Sequence, residues 1–302
     1  MKKMVLLSTF FSITAVGVYG LAKKHLFYQA PPLNAQKTSE EKHLVVVTPT
    51  YNNRHFCERN LTSLFSQRHG DGPYKNWSLI LVDDCSTDGQ FELIQKCVKD
   101  HGMEVHCKLI RNKTRQGAAY NIHSMINSIP NNNAIVLCVD GDDWLAHDRV
   151  FERINEIYQD PSVWLTYGQY IYWPDYNRAP THSMPRLINH KKIRDYDFFA
   201  SHLRTFYAGL FKKVRLESLK YSQGWLPDVD VAIMWPMMEM AGPSRIRWVP
   251  EVLYVYNRAQ NYTRTDPSHY GRLTQQQRNE IICSMRKQPA YEQLASLETV
   301  IS

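Results

Sequence analysis

The 302 residues are 43% hydrophobic and 22% charged, which excludes a disordered chain and allows one large domain or two small ones with a real core. The formal net charge of +7 favours anionic ligands or a membrane surface, but no basic block forms a nucleic-acid arm, so no nucleic-acid partner is expected. Cysteines 57, 85, 97, 107, 138 and 283 lack CxxC spacing, which argues against a zinc site, and nothing in their placement demands disulfides.

The first segment is Met4 to Ala22, nineteen uncharged residues between Lys2-Lys3 and Lys23-Lys24. That is close to the roughly 20 residues that span a bilayer. Residues 1–25 are therefore expected to be a single-pass membrane anchor. A signal peptide is the competing reading, though no small-x-small cleavage site precedes Lys23. Lysines at both ends leave the orientation open, while sequons at Asn60, Asn76, Asn112 and Asn261 permit a luminal domain. Residues 26–42, with Pro31-Pro32 and a polar run, read as a stem.

An alternation follows. "HLVVVT" (43–48) predicts a strand and Phe56 to Gln67 a helix; "WSLILVDD" (77–84) predicts the second strand and Phe91 to Lys99 the second helix. "VHCKLI" (105–110) is the third strand, and Ile122, Met125, Ile126 and Ile129 form a core stripe on the next helix. "AIVLCV" (134–139) is the fourth strand, with another amphipathic helix through Phe151, Ile154, Ile157 and Tyr158. This order implies βαβ units and a mainly parallel sheet, whose ligands bind beyond the carboxyl ends of the strands. Polar clusters stand at those ends: "TPTYNN", "DDCSTD" and "DGDDW".

Beyond about residue 160 the pattern changes. "VWLTYGQYIYW" (163–173) is strand-like, 174–200 irregular, and "HLRTFYAGLF" (202–211) either strand or helix. "GWLPDVDVAIMWPMMEMAG" enters a helix that Pro236 kinks or divides, and "RIRWV" and "VLYVYN" read as two short strands. The division expected is one domain at 43–271, split at 160/161, with a polar tail at 272–302.

At the end of the fourth strand, Asp140, Asp142 and Asp143 crowd together. Their repulsion costs stability unless a cation sits there, and a hard divalent ion with oxygen ligands suits them. The same residues also suit a polar turn, with Asp143 capping the next helix.

The segments "VVVTPTYNN", "LILVDDCSTDG", "RQGAAYN", "VLCVDGDDW" and "LPDVDVAI" resemble, in order and spacing, the inverting glycosyltransferases of family 2, over roughly residues 43 to 257. The resemblance implies an α/β fold of the GT-A (Rossmann-like) type, a mainly parallel sheet flanked by helices, with a mixed acceptor-side C-terminal half. It also implies a nucleotide-diphospho-sugar donor in the half 43–160. Pro49, Thr50 and Tyr51 match the segment lining base and ribose, and Asp84 the acceptor of a hydrogen bond from the base, typically uracil N3–H, hence a UDP-linked donor. Arg115 and Gly117 match a loop approaching the phosphates. "DGD" matches the DXD motif, with Asp142 coordinating Mn²⁺ or Mg²⁺ and Asp140 supporting the ribose or the metal.

The half 161–271 is then expected to hold a carbohydrate, lipid-linked or protein acceptor. Where the family carries Glu-Asp, this chain has Pro227-Asp228, leaving Asp228 as the match to the general base and Asp230 as its alternative in a shifted register. Trp144, Trp173 and Trp225 offer sugar-facing rings or core packing, His202 and Arg204 a contact to phosphate or acceptor, and Glu239 solvent exposure or a structural pair. The competing functions are a metal-dependent nucleotidyl- or phosphotransferase, although no Walker lysine or GxGxxG is present, and a catalytically silent carbohydrate-binding protein of the same fold.

Overall fold

The computed structural model describes residues 40–184, 189–221, 224–226, 229–259 and 274–301. The expected anchor, most of the stem, Asn261 and the Pro227-Asp228 pair lie outside them. Among the described residues no helix is long and apolar enough to cross a membrane.

Strand β1 (Leu44–Thr50) enters the core directly, and α1 (Arg54–Phe65) follows its polar end. A small hairpin, β2 (Arg68–His69) and β3 (Gly72–Pro73), leads into β4 (Trp77–Asp83), then α2 (Gln90–Asp100) and β5 (Cys107–Arg111). Helix α3 (Ala118–Asn127) buries Ile122, Met125 and Ile126, the stripe legible in the sequence, and precedes β6 (Ile135–Cys138). The strands β5, β4, β1 and β6 lie side by side and parallel. Their interior is Val, Ile and Leu, as expected of a sheet covered on both faces.

The chain then turns through β7 (Trp144–Leu145), α4 (Val150–Ile157) and β8 (Leu165–Trp173). "HLRTFYAGLF" is both of the things its sequence allowed: β9 (Arg204–Tyr207) passes without a break into α5 (Ala208–Lys212). Hairpin β10 (Lys220–Tyr221) and β11 (Gly224–Trp225) precedes α6 (Val229–Ala241). Pro236 does not divide α6, which is apolar around its circumference and buried from Val231 to Ala241.

The two short strands expected at "RIRWV" and "VLYVYN" are one, β12 (Ile246–Asn257). It pairs in parallel with β8, with register shifts between Val249 and Tyr254. Pro250 falls at that irregularity, where the ladder needs no N–H from it. The full order is β5-β4-β1-β6-β9-β8-β12-β7, with β9 antiparallel to both neighbours, so the second half is a mixed sheet continuous with the first.

The polar tail folds back as α7 (Gln275–Lys287) and α8 (Glu298–Ile301), burying Ile281, Met285, Tyr291 and Val300. Glu239 makes the structural pair: fully buried, it accepts from Arg194 Nε and Nη2 at 2.7 and 2.8 Å and from the Tyr291 backbone N–H at 3.0 Å. The bidentate pairing compensates for burying both charges, and the Tyr291 bond ties the tail to α6.

Candidate active site

The carboxyl ends of β1, β4 and β6 open into one cleft of 470 Å³. Pro49, Thr50, Tyr51, Asp84, Arg115, Gly117, Asp140 and Asp142 all line it, although they come from four separate stretches of chain. Phe198, Trp225 and Leu226 add an apolar part to the lining, and Asp230 at the start of α6 adds a carboxylate. Asp228, the expected base, lies outside the described residues.

The end of β4 is a set of anchors. Asp83 is fully buried and accepts from Gln90 Nε2 and the Ser86 N–H, with Arg111 Nε at 3.5 Å. Asp84 accepts from Asn112 Nδ2 at 2.7 Å, and from the backbone N–H groups of Gln116 and Gly117, each at 2.8 Å. Those bonds lay the "RQG" loop across the strand end, a loop-holding role absent from the sequence reading. Gly117 has φ 88°, in the region that favours glycine. From this loop the Arg115 guanidinium lies 3.9 Å over the Tyr51 ring, so the side chains expected to meet phosphate and base cover one another.

The end of β6 is pinned differently. A Cβ at Gly141 would collide with the Thr50 side chain, so only glycine lets this turn press against β1. Asp143 points inward, accepting from Tyr254 Oη at 2.8 Å and the Asn257 N–H at 2.7 Å. It does not cap α4, whose N-cap is Arg149. Asn60 donates from Nδ2 to the carbonyls of Asp140 (3.0 Å) and Asp143 (2.8 Å), and is buried. Sequence reasoning met Asn60 only as a sequon, since its partners lie about 80 residues away and leave no local signal. Asp140 and Asp142 remain on the cleft side.

The electrostatics follow. Burial pushes the Asp140 carboxyl up to about 6, Asp230 adds to the shift, and Arg204 opposes it. Asp143 is raised well above the usual range by burial first and then by Asp142 and Asp140, against its two hydrogen bonds. Arg204 and His202 are buried and are not among the residues that line the cleft. Arg204 Nη2 donates to His202 Nδ1 at 3.0 Å and Nη1 pairs with Asp230. Burial and Arg204 hold His202 neutral, with its pKa well below the ordinary value, which leaves the ring proton on Nε2.

These groups fit a hard divalent cation. One ligand atom each from Asp140, Asp143 and His202 lie within 4.8 Å of one another. Asp143 and His202 are engaged by Tyr254, Asn257 and Arg204, while Asp142 and Asp140 are the carboxylates of this turn that line the cleft. Trp144 and Trp173 pack on each other at 5.7 Å with Arg59 over both, which is core packing; of the three tryptophans singled out from the sequence, Trp225 lines the cleft.

A mainly parallel α/β sheet with a carboxylate turn and a glycine loop converging at its strand ends has the architecture of the GT-A fold. Residues 45–219, more than half of the chain, match the family described as Glycosyl transferase family 2, and the chain belongs to that family of glycosyltransferases. It is 27% identical over 127 residues to an uncharacterized glycosyltransferase of Haemophilus influenzae. That match covers 42% of this chain and 46% of the relative, so the chain spans less than half the length of that protein. Among solved structures it resembles S. aureus TarS 1–349 in complex with UDP-GlcNAc, with TM-score 0.52, 18% identity, and 71% of this chain and 58% of that one covered. It also resembles the mannosyltransferase PcManGT from Pyrobaculum calidifontis in complex with GDP-Man and Mn²⁺, with TM-score 0.51, 20% identity, and 80% and 63% covered. At such identities the structural likeness establishes the fold.

Proposed function

We propose that this glycosyltransferase transfers a sugar with inversion from a UDP-linked donor to a hydroxyl of a carbohydrate, lipid-linked or protein acceptor. The observation that carries this reading is the arrangement of one cleft, which Asp140 and Asp142 line together with Asp230, two residues after Asp228 in the chain. TarS and PcManGT, whose complexes hold UDP-GlcNAc and GDP-Man with Mn²⁺, support a nucleotide-sugar donor.

The donor lies along β1 and β4, its base near Tyr51 and Asp84 and its diphosphate toward Gly117 and the turn at 140–142. Arg115 leaves the Tyr51 ring to meet the diphosphate, which frees that ring for the base. Asp142 and Asp140 would hold Mn²⁺ or Mg²⁺, which when bound would supply Lewis-acid stabilisation of the departing diphosphate. The acceptor oxygen attacks the anomeric carbon opposite the leaving group; the new C–O bond forms as the sugar–phosphate C–O bond breaks. The hydroxyl proton passes to the carboxylate of Asp228, with Asp230 the alternative. Residues 1–25 hold the enzyme to a membrane, a reading supported by the uncharged run Met4–Ala22.

The test is a screen of UDP and GDP sugars for nucleotide-diphosphate release, with Mn²⁺, with Mg²⁺ and with chelator. Release of sugar 1-phosphate instead, with the nucleoside monophosphate transferred, would identify a nucleotidyltransferase. Turnover unchanged in saturating chelator would remove the metal, and binding without any turnover would leave a silent carbohydrate-binding protein. Full-length protein that stays out of the membrane fraction with its N-terminus intact would end the anchor reading.

A further inference from the structure

Arg204 carries a charge into the interior that neither packing nor the proposed chemistry has used. It is 1% exposed, on β9, paired in register with Cys138 two residues before Asp140. A leucine or methionine would fill that position without desolvating a guanidinium. Its contacts run in two directions. Nη1 meets Asp230, whose side chain is 38% exposed on the acceptor wall. Nη2 holds His202, whose ring stacks on Tyr254 with centroids 4.6 Å apart and planes 9° from parallel. Tyr254 Oη accepts from the Asp140 N–H at 3.1 Å and donates to Asp143, so the chain of contacts ends in the aspartate turn. Asp230 and Asp140 are the carboxylates whose charge acts most on the guanidinium.

Resting on the functional reading above, we propose that Arg204 is a positioning residue and the internal counter-ion of the cleft. It joins the acceptor-side Asp230 to the donor-side Asp140 and weakens the binding of free divalent metal. Clustered carboxylates repel unless a cation offsets them. Arg204 supplies that cation from below, permanently, through a planar fork that serves Asp230 and His202 at once. A metal ion arriving alone meets carboxylates already partly neutralised, whereas one arriving with a diphosphate brings its own counter-charge. The metal site is therefore completed by the nucleotide.

The test compares wild type, Arg204→Met, Arg204→Lys and Asp230→Asn by calorimetric titration with Mn²⁺ alone and with UDP in Mn²⁺, by melting temperature, and by steady-state turnover. Arg204→Met is expected to bind free Mn²⁺ roughly tenfold tighter, since a neighbouring like charge is gone. Its kcat falls about 10²-fold from misplacement, with little change in donor KM. Arg204→Lys returns the weak Mn²⁺ binding but not the full kcat, because an ammonium cannot hold both partners in one plane. Asp230→Asn leaves Arg204 unopposed and weakens free Mn²⁺ binding further, an outcome readable even if Arg204→Met fails to fold. A merely structural arginine would lower the melting temperature without tightening Mn²⁺. A folded Arg204→Met with wild-type or weaker Mn²⁺ affinity overturns the role, as does an unchanged affinity in Asp230→Asn. Wild type that binds neither Mn²⁺ nor UDP overturns the proposed function as well; normal wild-type binding with unresponsive variants removes the Arg204 role alone.

Discussion

Two strand ends in this protein carry clustered aspartates, and they use them in opposite ways. After β4, Asp83 and Asp84 accept from side-chain amides and backbone N–H groups at every carboxylate oxygen, and their work is to fold two loops. After β6, Asp143 is spent in that manner, on Tyr254 and Asn257. Asp140 and Asp142 stay on the cleft side, and burial lifts Asp140 to about 6. A carboxylate that builds shape is satisfied by its own chain, whereas Asp140 carries a charge that burial makes costly.

Substitutions sharpen that contrast. The largest effect belongs to the proposed base: Asp228→Asn is expected to cut turnover by roughly 10²–10⁴ with donor affinity nearly unchanged. As a helix cap it would be almost silent, because asparagine caps equally well, so turnover at the wild-type rate ends the base assignment. Asp142→Asn should lower turnover by about 10²–10³ and abolish Mn²⁺-dependent UDP binding with the fold intact. Calorimetry showing normal Mn²⁺-dependent UDP binding would place the metal elsewhere.

Asp84→Asn attacks the shape-building end. An amide must present N–H to at least one of the Asn112, Gln116 and Gly117 donors, which costs roughly 2 kcal/mol and loosens the loop. A lower melting temperature with a raised donor KM is expected, and an unchanged melting curve would contradict the anchoring role.

Asp140→Asn should have the smallest effect on turnover, and an effect on stability of opposite sign. With the folded pKa raised to about 6 from 3.8, the folded protein keeps a proton that the unfolded chain releases. Metal-free stability therefore falls as pH rises from 3.8 to about 6, and the full penalty is present above that window. Asp140→Asn should raise metal-free stability at pH 7 and lose the advantage near pH 4, as urea unfolding at the two pH values would show. A variant less stable than wild type at pH 7 would contradict the uncompensated charge.

Much of the donor half was legible because its signals are local. Apolar runs of strand length followed by polar clusters locate the strand ends, and a parallel sheet brings those ends to one edge. Tyr51, Asp84, Gly117 and Asp142 could thus be assigned to one site before any contact was known. The acceptor half resisted the same treatment. "HLRTFYAGLF" holds a strand and a helix in ten residues, too short for either period to show. Pro250 made one strand read as two.

What the sequence determined by itself was the alternation of elements, the strand ends as the place of chemistry, and the carboxylates standing there. The tertiary structure decided what each carboxylate does. It inserted β9 between β6 and β8, which set Arg204 in register with Cys138 and against His202 and Asp230. It also brought Asn60, Tyr254 and Asn257 across 80 residues or more to fix Asp143 and leave Asp140 and Asp142 facing the cleft. Periodicity and turn chemistry act over a few residues and can be read from order alone. Burial and charge compensation depend on neighbours distant in sequence, so they are settled only when the sheet closes around them.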